Sequence, residues 1–430
     1  MVKVYIETYG CTLNQAESDI MHALLSEQHE IVANESQCDV LILNTCTVKG
    51  PTENRIFERI KSLVSNGKKI VIAGCLTVNE KKIRKYAPKA PIVKTHAISQ
   101  ISDAVNSAFD GVGNIGKVYG AVFTRIPTTI PKLATSPIAR IPVNDGCTSN
   151  CFICQTKLAR PYLRSYSQKT IVKWINEAVS QGAKEIQLTS MDLGTYGLDL
   201  KTDLVSLLDN IIKDDSSTHK DTKFMIRLGM INPNHLKHML PDIIRILKHP
   251  KFYKFIHIPV QTGSEKVCND MNRDHTVKYF VDIVNSLRRE IDGISIATDI
   301  IVGYPTETDG DFEQTKKLLE TIRPEVVNIS KFSPRPGTKA KELKQLHNDI
   351  IKSRTLELVA FVRKMSVQIC SRSIGKTYQV LITEKQGDFT GRNINYMQVV
   401  VKDFKGQLGD LINVKIIDAG HGFLFGKSEI

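Results

Sequence analysis

The sequence lacks any apolar run long enough to cross a bilayer, which argues against a membrane-spanning protein. It also lacks the cysteine density of a secreted disulfide scaffold, since nine cysteines are spread over 430 residues. Its N-terminal stretch MVKVYIETYG alternates like a strand and has no apolar segment typical of a signal peptide. We therefore expect a soluble, cytoplasmic protein, in which clustered cysteines indicate metal binding or catalysis.

Acidic residues are in the minority: 45 aspartates and glutamates stand against 58 lysines and arginines, a net charge of +13. This surplus favours a polyanionic partner such as RNA. A generally basic, solvated surface is the alternative explanation. There is no internal repeat and no low-complexity tract, and the length suffices for two or three domains with ordinary cores.

Strand and helix patterns alternate through most of the chain, which predicts the α/β class. Over residues 1–110 they predict an N-terminal doubly wound parallel sheet. Residues 111–138 lose this periodicity and are interpreted as a linker. Residues 139–365 contain six further strand and helix units, which predict a partial (β/α)6 barrel. Residues 366–430 switch to short strands separated by glycine and aspartate turns, which predicts a small all-β barrel.

The stretch GCTSNCFICQ places Cys147, Cys151 and Cys154 in one loop after the first strand of the predicted barrel. Such loops lie at the carboxyl ends of barrel strands, where these folds keep their active sites. Three thiolates at this spacing can bind three irons of a [4Fe–4S] cube and leave the fourth iron open. A zinc site and a chance grouping of thiols are the alternatives, but a zinc site requires a fourth protein ligand, and none lies nearby in the sequence.

Three more cysteines each follow a predicted strand of the N-terminal sheet: Cys11 ends YIETYGC, Cys46 ends LILNTC and Cys75 ends IVIAGC. All three are expected at the carboxyl edge of a parallel sheet, which is the usual ligand crevice. Because neighbouring strands lie about 4.8 Å apart, the three can share one cluster if their strands are adjacent. The alternative is three unrelated buried cysteines.

The order ETYGC…NTC…AGC, then CxxxCxxC, then a terminal β-barrel resembles the radical SAM methylthiotransferases. Further matching stretches are HIPVQTGSEKV, MNR at 271–273, TDIIVGYPTET and FSPRPGT. The resemblance implies a methylthiotransferase N-terminal domain, a radical SAM core and a TRAM domain that binds RNA. It also implies two [4Fe–4S] clusters. One, on Cys147, Cys151 and Cys154, binds S-adenosylmethionine (SAM). An auxiliary one is held by Cys11, Cys46 and Cys75.

In that family, one SAM donates a methyl group to sulfur on the auxiliary cluster. Another is cleaved to a radical that removes hydrogen from a C–H bond. Both clusters must therefore flank one cavity.

The stretch VYIETYGCTLNQAESDIM most resembles the archaeal and eukaryotic branch, which modifies N6-threonylcarbamoyladenosine at position 37 of tRNA, next to the anticodon. The alternatives are the branch acting on isopentenyladenosine and the branch acting on an aspartate of a ribosomal protein. From a different class, a non-catalytic iron–sulfur protein that binds RNA is a further alternative. The sulfur donor and the electron donor are not indicated.

Polar residues near the predicted strand ends are candidates for SAM binding, although structural use is an alternative for each. These candidates are Ser190, Asp192, Arg227 and Gln261.

Basic and aromatic residues are interleaved in QTKLARPYLRSYSQK, directly after the barrel cysteines, and SPRPG adds one more arginine. This mixture suits a loop of RNA such as the anticodon loop, and a solvated face is the alternative. The candidate RNA contacts are Lys157, Arg160, Arg164 and Arg335.

Overall fold

The computed structural model describes residues 1–47, 50–111, 116–120, 136–214 and 224–429. Within these ranges the chain forms a helix-covered parallel sheet, a curved six-stranded sheet and a closed β-barrel. The predicted α/β class and the order of the three folds are confirmed. Most of the predicted linker, 111–138, lies outside the described residues. None of the helices in the described ranges combines the length and apolar character that a membrane crossing needs.

Across its described residues, 1–47, 50–111 and 116–120, the N-terminal part contains six strands and four α-helices. The strands are β1 (Lys3–Thr8), β2 (Glu30–Ile31), β3 (Val40–Thr45), β4 (Lys69–Gly74), β5 (Ile92–Val93) and β6 (Val118–Tyr119). The helices are α1 (Thr12–Ser26), α2 (Gly50–Ser65), α3 (Glu80–Tyr86) and α4 (Ile101–Asp110), with 3₁₀ turns at Glu35–Gln37, Cys75–Asn79 and Thr95–Gln100. All strands are parallel, in the order β2-β1-β3-β4-β5-β6. Every residue of β3 is buried, because helices cover both faces of the sheet.

The central part is built on two three-stranded parallel sheets, β11-β10-β7 and β12-β13-β14, with a small antiparallel pair, β8 and β9, beside them. The strands are β7 (Ile138–Pro142), β8 (Asn144–Asp145), β9 (Arg164–Ser165), β10 (Glu185–Thr189), β11 (Met225–Leu228), β12 (Phe255–His257), β13 (Ser295–Val302) and β14 (Val326–Lys331). Parallel bridges between Ile226 and Phe252 and between Met230 and His257 join the two sheets. The result is one open, curved sheet of six strands, as the partial-barrel prediction requires.

Helices connect the strands of this open barrel, and the longer of them cover its outer face. They are α5 (Thr156–Ala159), α6 (Gln168–Ser180), α7 (Leu204–Lys213), α8 (Pro233–Leu236), α9 (Leu240–Lys248), α10 (Glu265–Asp270), α11 (Val277–Glu290), α12 (Asp309–Ile322) and α13 (Lys339–Glu342), with a 3₁₀ turn at Leu193–Thr195. In α6 the apolar residues recur at helical spacing, and Ile171, Trp174, Ile175 and Ala178 are all buried in the largest core of the described residues. The 3.6-residue periodicity therefore identified the core-facing side of this helix.

The N-terminal part lies against the edge of the open barrel. Helix α1 packs on β7 and reaches β10. Across this contact Arg140 of β7 pairs with Asp19 of α1 at 3.6 Å. This packing brings the carboxyl ends of the two sheets together along the interface of the N-terminal part and the open barrel. We call this interface, which includes α1, β7 and α5, the seam.

The long helix α14 (Asn348–Ser371) leads into the C-terminal barrel. The barrel strands are β15 (Thr377–Gln386), β16 (Asp388–Asn393), β17 (Gln398–Lys402), β18 (Leu411–Ala419) and β19 (Phe423–Ser428), closed in the order β15-β16-β17-β19-β18. Between β16 and β17, Tyr396 projects onto Phe255 and donates a hydrogen bond to Glu185 at 2.7 Å. Glu185 is the first residue of β10, so this barrel covers the amino ends of the central strands, away from the cysteines.

Candidate active site between two cysteine triads

Cys11, Cys46 and Cys75, which we call the sheet triad, follow the ends of β1, β3 and β4. These strands are direct neighbours, as the shared-cluster prediction required. Cys46 and Cys75 are buried and Cys11 is exposed. Burial raises the pKa of the Cys75 thiol to about 12, and the nearby Cys11 contributes in the same direction. The parallel topology thus brings together three thiols that are far apart in the chain.

Cys147, Cys151 and Cys154, the barrel triad, occupy the loop between β8 and α5. Burial, followed by the nearby Asp192 carboxylate, raises the pKa of the Cys147 thiol to about 11. The backbone amide of Ser149 donates to the Cys147 sulfur at 3.4 Å. One loop therefore presents all three thiols at the carboxyl end of the first barrel strand.

A glycine with positive φ precedes one cysteine of each triad. Gly74 has φ +85°, and a Cβ there would lie 2.4 Å from the carbonyl oxygen of Thr45. Gly146 has φ +78°, and a Cβ there would lie 2.0 Å from the carbonyl oxygen of Tyr162. Both positions exclude other residues on steric grounds, so the backbone turns that aim Cys75 and Cys147 depend on glycine.

Asp192 holds the loops above the barrel triad. It is fully buried and accepts hydrogen bonds from Gly194 N (3.0 Å), Asn232 Nδ2 (2.7 Å) and His235 Nδ1 (2.9 Å). Its carboxylate also lies 3.9 Å from the Cys147 sulfur. Because its oxygens are already taken by protein donors, Asp192 is placed to orient its neighbours beside the cluster loop. Its predicted contact with SAM stays a prediction.

The other SAM candidates lie in different surroundings. Ser190 keeps a buried hydroxyl that makes no hydrogen bond within the described residues, which suits a ligand contact. Gln261 has a positive φ of 72°, and its backbone N–H donates to the backbone carbonyl of Asp299 at 2.9 Å. Arg227 lies deep in the barrel, its guanidinium 5.4 Å from the Phe255 ring and 5.8 Å from the Tyr396 ring. The structure does not bring Arg227 to the cysteine loop, because its place in β11 faces the C-terminal barrel.

Arg273 is a site residue to which the sequence patterns assigned no role. Its Nη1 donates to the Cys151 sulfur at 3.2 Å, and its Nη2 donates to Asn232 Oδ1 and to the Pro259 carbonyl. Arg273 belongs to the matching stretch MNR, so a signal for its importance was present. Nothing in the local spacing indicated that it contacts a cysteine.

Arg160 lies at the seam between the two triads rather than on an RNA-facing surface. Its Nε donates to the Cys75 sulfur at 3.3 Å, and its Nη atoms bond Asp145 at 2.6 Å and Glu17 at 2.7 Å. Only 2% of its side chain is exposed. The prediction that Arg160 contacts RNA is therefore wrong in this arrangement, because two carboxylates already enclose the guanidinium away from solvent.

Arg335 is buried in the same way, and its predicted RNA contact needs the same correction. Its Nη1 donates to Glu53 at 2.8 Å, and both side chains are less than a tenth exposed. Of the two remaining basic candidates, Lys157 donates to the backbone carbonyl of Cys147. Arg164 lines a cavity beside Arg160 at the seam. Lys157 and Arg160 of the basic segment are thus turned towards cysteines of the two triads.

Gln155, directly after Cys154, links the two triads a second time. Its side-chain oxygen accepts from Thr47 at 2.5 Å, and its amide donates to Asn79 at 3.2 Å. Thr47 follows Cys46, and Asn79 closes the 3₁₀ turn that begins at Cys75. The two triads therefore lie on either side of one seam, and the cavity expected between their clusters stays a prediction.

The donor set fits iron–sulfur clusters better than single ions. All nine cysteines lie in the described ranges, and none of them forms a disulfide. Within those ranges no three cysteine, histidine or carboxylate side chains gather closely enough for one metal ion. A four-iron cube spaces its thiolates more widely than one zinc ion does, so two sets of three thiols are compatible with two such clusters.

Three stretches of the chain match known families. Residues 3–94 match the uncharacterized protein family UPF0004, residues 141–319 the Radical SAM superfamily and residues 371–428 the TRAM domain. These stretches coincide with the helix-covered sheet, the open barrel and the closed barrel. The sheet triad therefore lies in the stretch that matches UPF0004, and the barrel triad lies in the stretch that matches the Radical SAM superfamily.

A solved structure supports the fold. The radical S-adenosylmethionine methyltransferase TsrM from Kitasatospora setae, with cobalamin and a [4Fe-4S] cluster bound, has a TM-score of 0.57 and 13% identity. The match covers 79% of this chain and 74% of TsrM. At this identity the likeness concerns architecture alone.

Full-length relatives are more similar in sequence. A Pyrococcus horikoshii protein described as a probable threonylcarbamoyladenosine tRNA methylthiotransferase is 38% identical, with 99% of each chain covered. The Drosophila melanogaster threonylcarbamoyladenosine tRNA methylthiotransferase is 33% identical, over 99% of this chain and 77% of its own. At such identity over nearly the whole length, the chain belongs to the threonylcarbamoyladenosine tRNA methylthiotransferase family.

Proposed function

We propose that this protein converts N6-threonylcarbamoyladenosine at position 37 of tRNA to its 2-methylthio derivative, using SAM and two [4Fe–4S] clusters. One observation carries the proposal: two sets of three thiols, each without a fourth cysteine, face each other across a seam bridged by Gln155 and Arg160. Transfer of a methylthio group to a carbon needs a sulfur carrier and a radical source beside one substrate. The seam meets that requirement.

In this proposal the barrel triad would hold the SAM cluster and the sheet triad the auxiliary cluster. When bound, these groups supply the electron that cleaves SAM and an open iron that carries the sulfur. The chain's own contribution is binding, orientation and exclusion of water. Burial of Cys46, Cys75 and Cys147 keeps solvent from the ligating sulfurs.

The SAM pocket is proposed to lie around the barrel triad. Ser190 supplies a buried hydroxyl without a hydrogen bond in the described residues, and Gln261 supplies a polar side chain from the segment bridged to Ile300 of β13. Asp192 fixes Asn232, which in turn accepts from Arg273. A guanidinium beside the cluster loop is a suitable partner for the carboxylate of an amino acid moiety.

The proposed macromolecular substrate is the anticodon loop of tRNA. Support comes from the printed names of the relatives, from the TRAM match and from the net charge of +13. Tyr162 is 69% exposed and lies two residues before Arg164. An exposed aromatic side chain in a basic segment can stack on an unpaired base. A tRNA substrate is consistent with the expected cytoplasmic location.

We propose an N-terminal functional unit at 1–110, whose sheet is completed by β6 (Val118–Tyr119) just beyond it, and a central unit at 139–365, followed by the C-terminal RNA-binding barrel. The sequence-based boundary at 366 falls inside α14, which ends at Ser371. The barrel's own strands begin at Thr377. We therefore place the start of the C-terminal unit after Ser371.

The test uses reconstituted protein, SAM, sulfide and reductant. It is incubated separately with tRNA carrying threonylcarbamoyladenosine, with tRNA carrying isopentenyladenosine and with ribosomal protein. Mass spectrometry then checks each substrate for a gained methylthio group. Modification of the threonylcarbamoyl tRNA is expected. A gain only on one of the other two substrates would overturn the substrate assignment, and SAM binding without any cleavage would favour a non-catalytic RNA-binding protein.

A further inference from the structure

Arg160 is placed where it can act on the sheet triad from another part of the chain. It follows α5, six residues after Cys154, yet its Nε bonds the sulfur of Cys75 at 3.3 Å. The carbonyl of Ala159, one residue earlier, accepts from Thr95 of the N-terminal part at 2.8 Å. The end of α5 is thus fixed to the N-terminal sheet by backbone as well as side chain.

The charges around Arg160 are arranged on opposite sides of the seam. Glu17 comes from α1 and lies 2.6 Å from Nη1, and Asp145 of β8 lies at the same distance. The two Nη atoms are occupied by carboxylates, so the Nε–H remains for the sulfur. This division of donors gives the N–H···S contact a fixed direction, because the planar guanidinium cannot turn without breaking a carboxylate bond.

We propose that Arg160 is a positioning residue that tunes the auxiliary cluster through this hydrogen bond and ties it to the loop of the SAM cluster. A cationic donor on a ligand sulfur stabilises the more negative, reduced form of a cluster and so raises its reduction potential. Glu17 acts in the opposite direction, since its negative charge lies beside the same sulfur. The inference rests on the second cluster of the proposed function.

The experiment isolates the auxiliary cluster. In a Cys147→Ala, Cys151→Ala, Cys154→Ala background, reconstituted full-length protein is titrated electrochemically and followed by electron paramagnetic resonance. Adding Arg160→Gln is expected to shift the midpoint potential to a more negative value, and adding Glu17→Gln to shift it to a more positive value. Arg245→Gln is the matched control. Arg245 also pairs with two carboxylates, Asp209 and Asp242, but on the exposed outer face of the barrel.

Opposite shifts of the midpoint potential for Arg160→Gln and Glu17→Gln, with no shift for the control, support the proposal. A merely structural role does not predict that the two substitutions shift the potential in opposite directions. Bound iron with an unchanged potential in both variants overturns it. If Arg160→Gln retains no iron, Glu17→Gln decides alone: a positive shift supports the tuning role and no shift overturns it. A background protein without any iron would instead contradict the auxiliary cluster of the proposed function, a failure distinguishable from that of Arg160.

Discussion

The sheet triad and the barrel triad each present three thiols, but the fold brings those thiols together in different ways. The barrel triad lies within one loop, Cys147 to Cys154, and its arginine partner Arg273 belongs to the same barrel. The sheet triad is collected from three strand ends, and its partner Arg160 comes from the other side of the seam. A local triad depends on its own loop, whereas the sheet triad depends on how two parts of the molecule pack.

Because of this difference, substitutions at the seam should affect the two triads unequally. Gln155, Arg160 and Arg335 all reach across the seam to residues beside the sheet triad. Damage to the seam is therefore expected to affect the sheet triad first and to spare the barrel loop. The predictions below test that contrast, starting with the largest effect.

The largest effect is expected from removing the barrel triad. The triple change Cys147→Ala, Cys151→Ala, Cys154→Ala should abolish SAM cleavage and lower bound iron from about eight to about four per chain, because one of two four-iron cubes is lost. Iron analysis and detection of 5′-deoxyadenosine measure both. Cys38→Ala, a buried cysteine outside both triads, is the control. Unchanged iron in the triple variant would contradict the assignment.

A smaller, selective effect is expected from the sheet triad. Cys46→Ala should retain SAM cleavage, because the SAM cluster is held by the other loop, but lose methylthiolation of tRNA. Mass spectrometry of the tRNA and of the cleaved cofactor separates the two activities. Methylthiolation at the rate of the unaltered protein would show that the sheet triad has no role in sulfur transfer.

The loss of an ion pair should lower the free energy of unfolding more when the pair is buried at the seam than when it is exposed on the outer face of the barrel. Glu53→Gln leaves Arg335 without its buried carboxylate, which should cost about 3 kcal/mol of unfolding free energy. Asp209→Asn removes an exposed partner of Arg245 and should cost less than about 1 kcal/mol. Denaturant unfolding of both variants measures the difference. Equal costs would mean that Arg335 and Glu53 do not form a buried pair in solution.

The smallest effect concerns acid sensitivity on the barrel side. Burial, aided by the charge of Arg273, lowers the pKa of His275 to about 3. In the unfolded chain this histidine takes up its proton near pH 6.5, whereas in the folded protein it stays neutral. Its contribution to the free energy of unfolding is therefore fully present above pH 6.5 and is lost as the pH falls towards 3. Unfolding measured from pH 7.5 to 5 should therefore show a shallower loss in His275→Gln. His421→Asn, at an exposed position, should follow the unaltered protein, and identical slopes for all three would contradict the prediction.

Much of the site was readable from the sequence because its signals are local. The spacing of Cys147, Cys151 and Cys154 indicated one loop, and the strand patterns before Cys46 and Cys75 indicated one sheet edge. The six-unit barrel and the buried face of α6 followed from periodicity in the same way. The assignment of these triads to clusters stays a prediction.

The basic residues were harder to interpret. QTKLARPYLRSYSQK has the composition of an RNA-binding segment, yet Arg160 is buried, and so is Arg335 in SPRPG. Composition records how many charges a segment holds and carries no information on which of them a distant carboxylate will neutralise. Arg273 was missed for the same reason, because its contact with Cys151 joins two distant stretches of chain.

By itself the sequence determined the α/β class, the order of three folds and the two groups of thiols, since hydrophobic periodicity and cysteine spacing are set by residues close together in the chain. Only the tertiary structure decided which guanidinium meets which sulfur. Arg160 and Glu17 are 143 residues apart, and Arg335 and Glu53 are 282 apart. Such pairs form because the N-terminal part packs against the open barrel and leaves these side chains little contact with water, and a buried charge requires a partner.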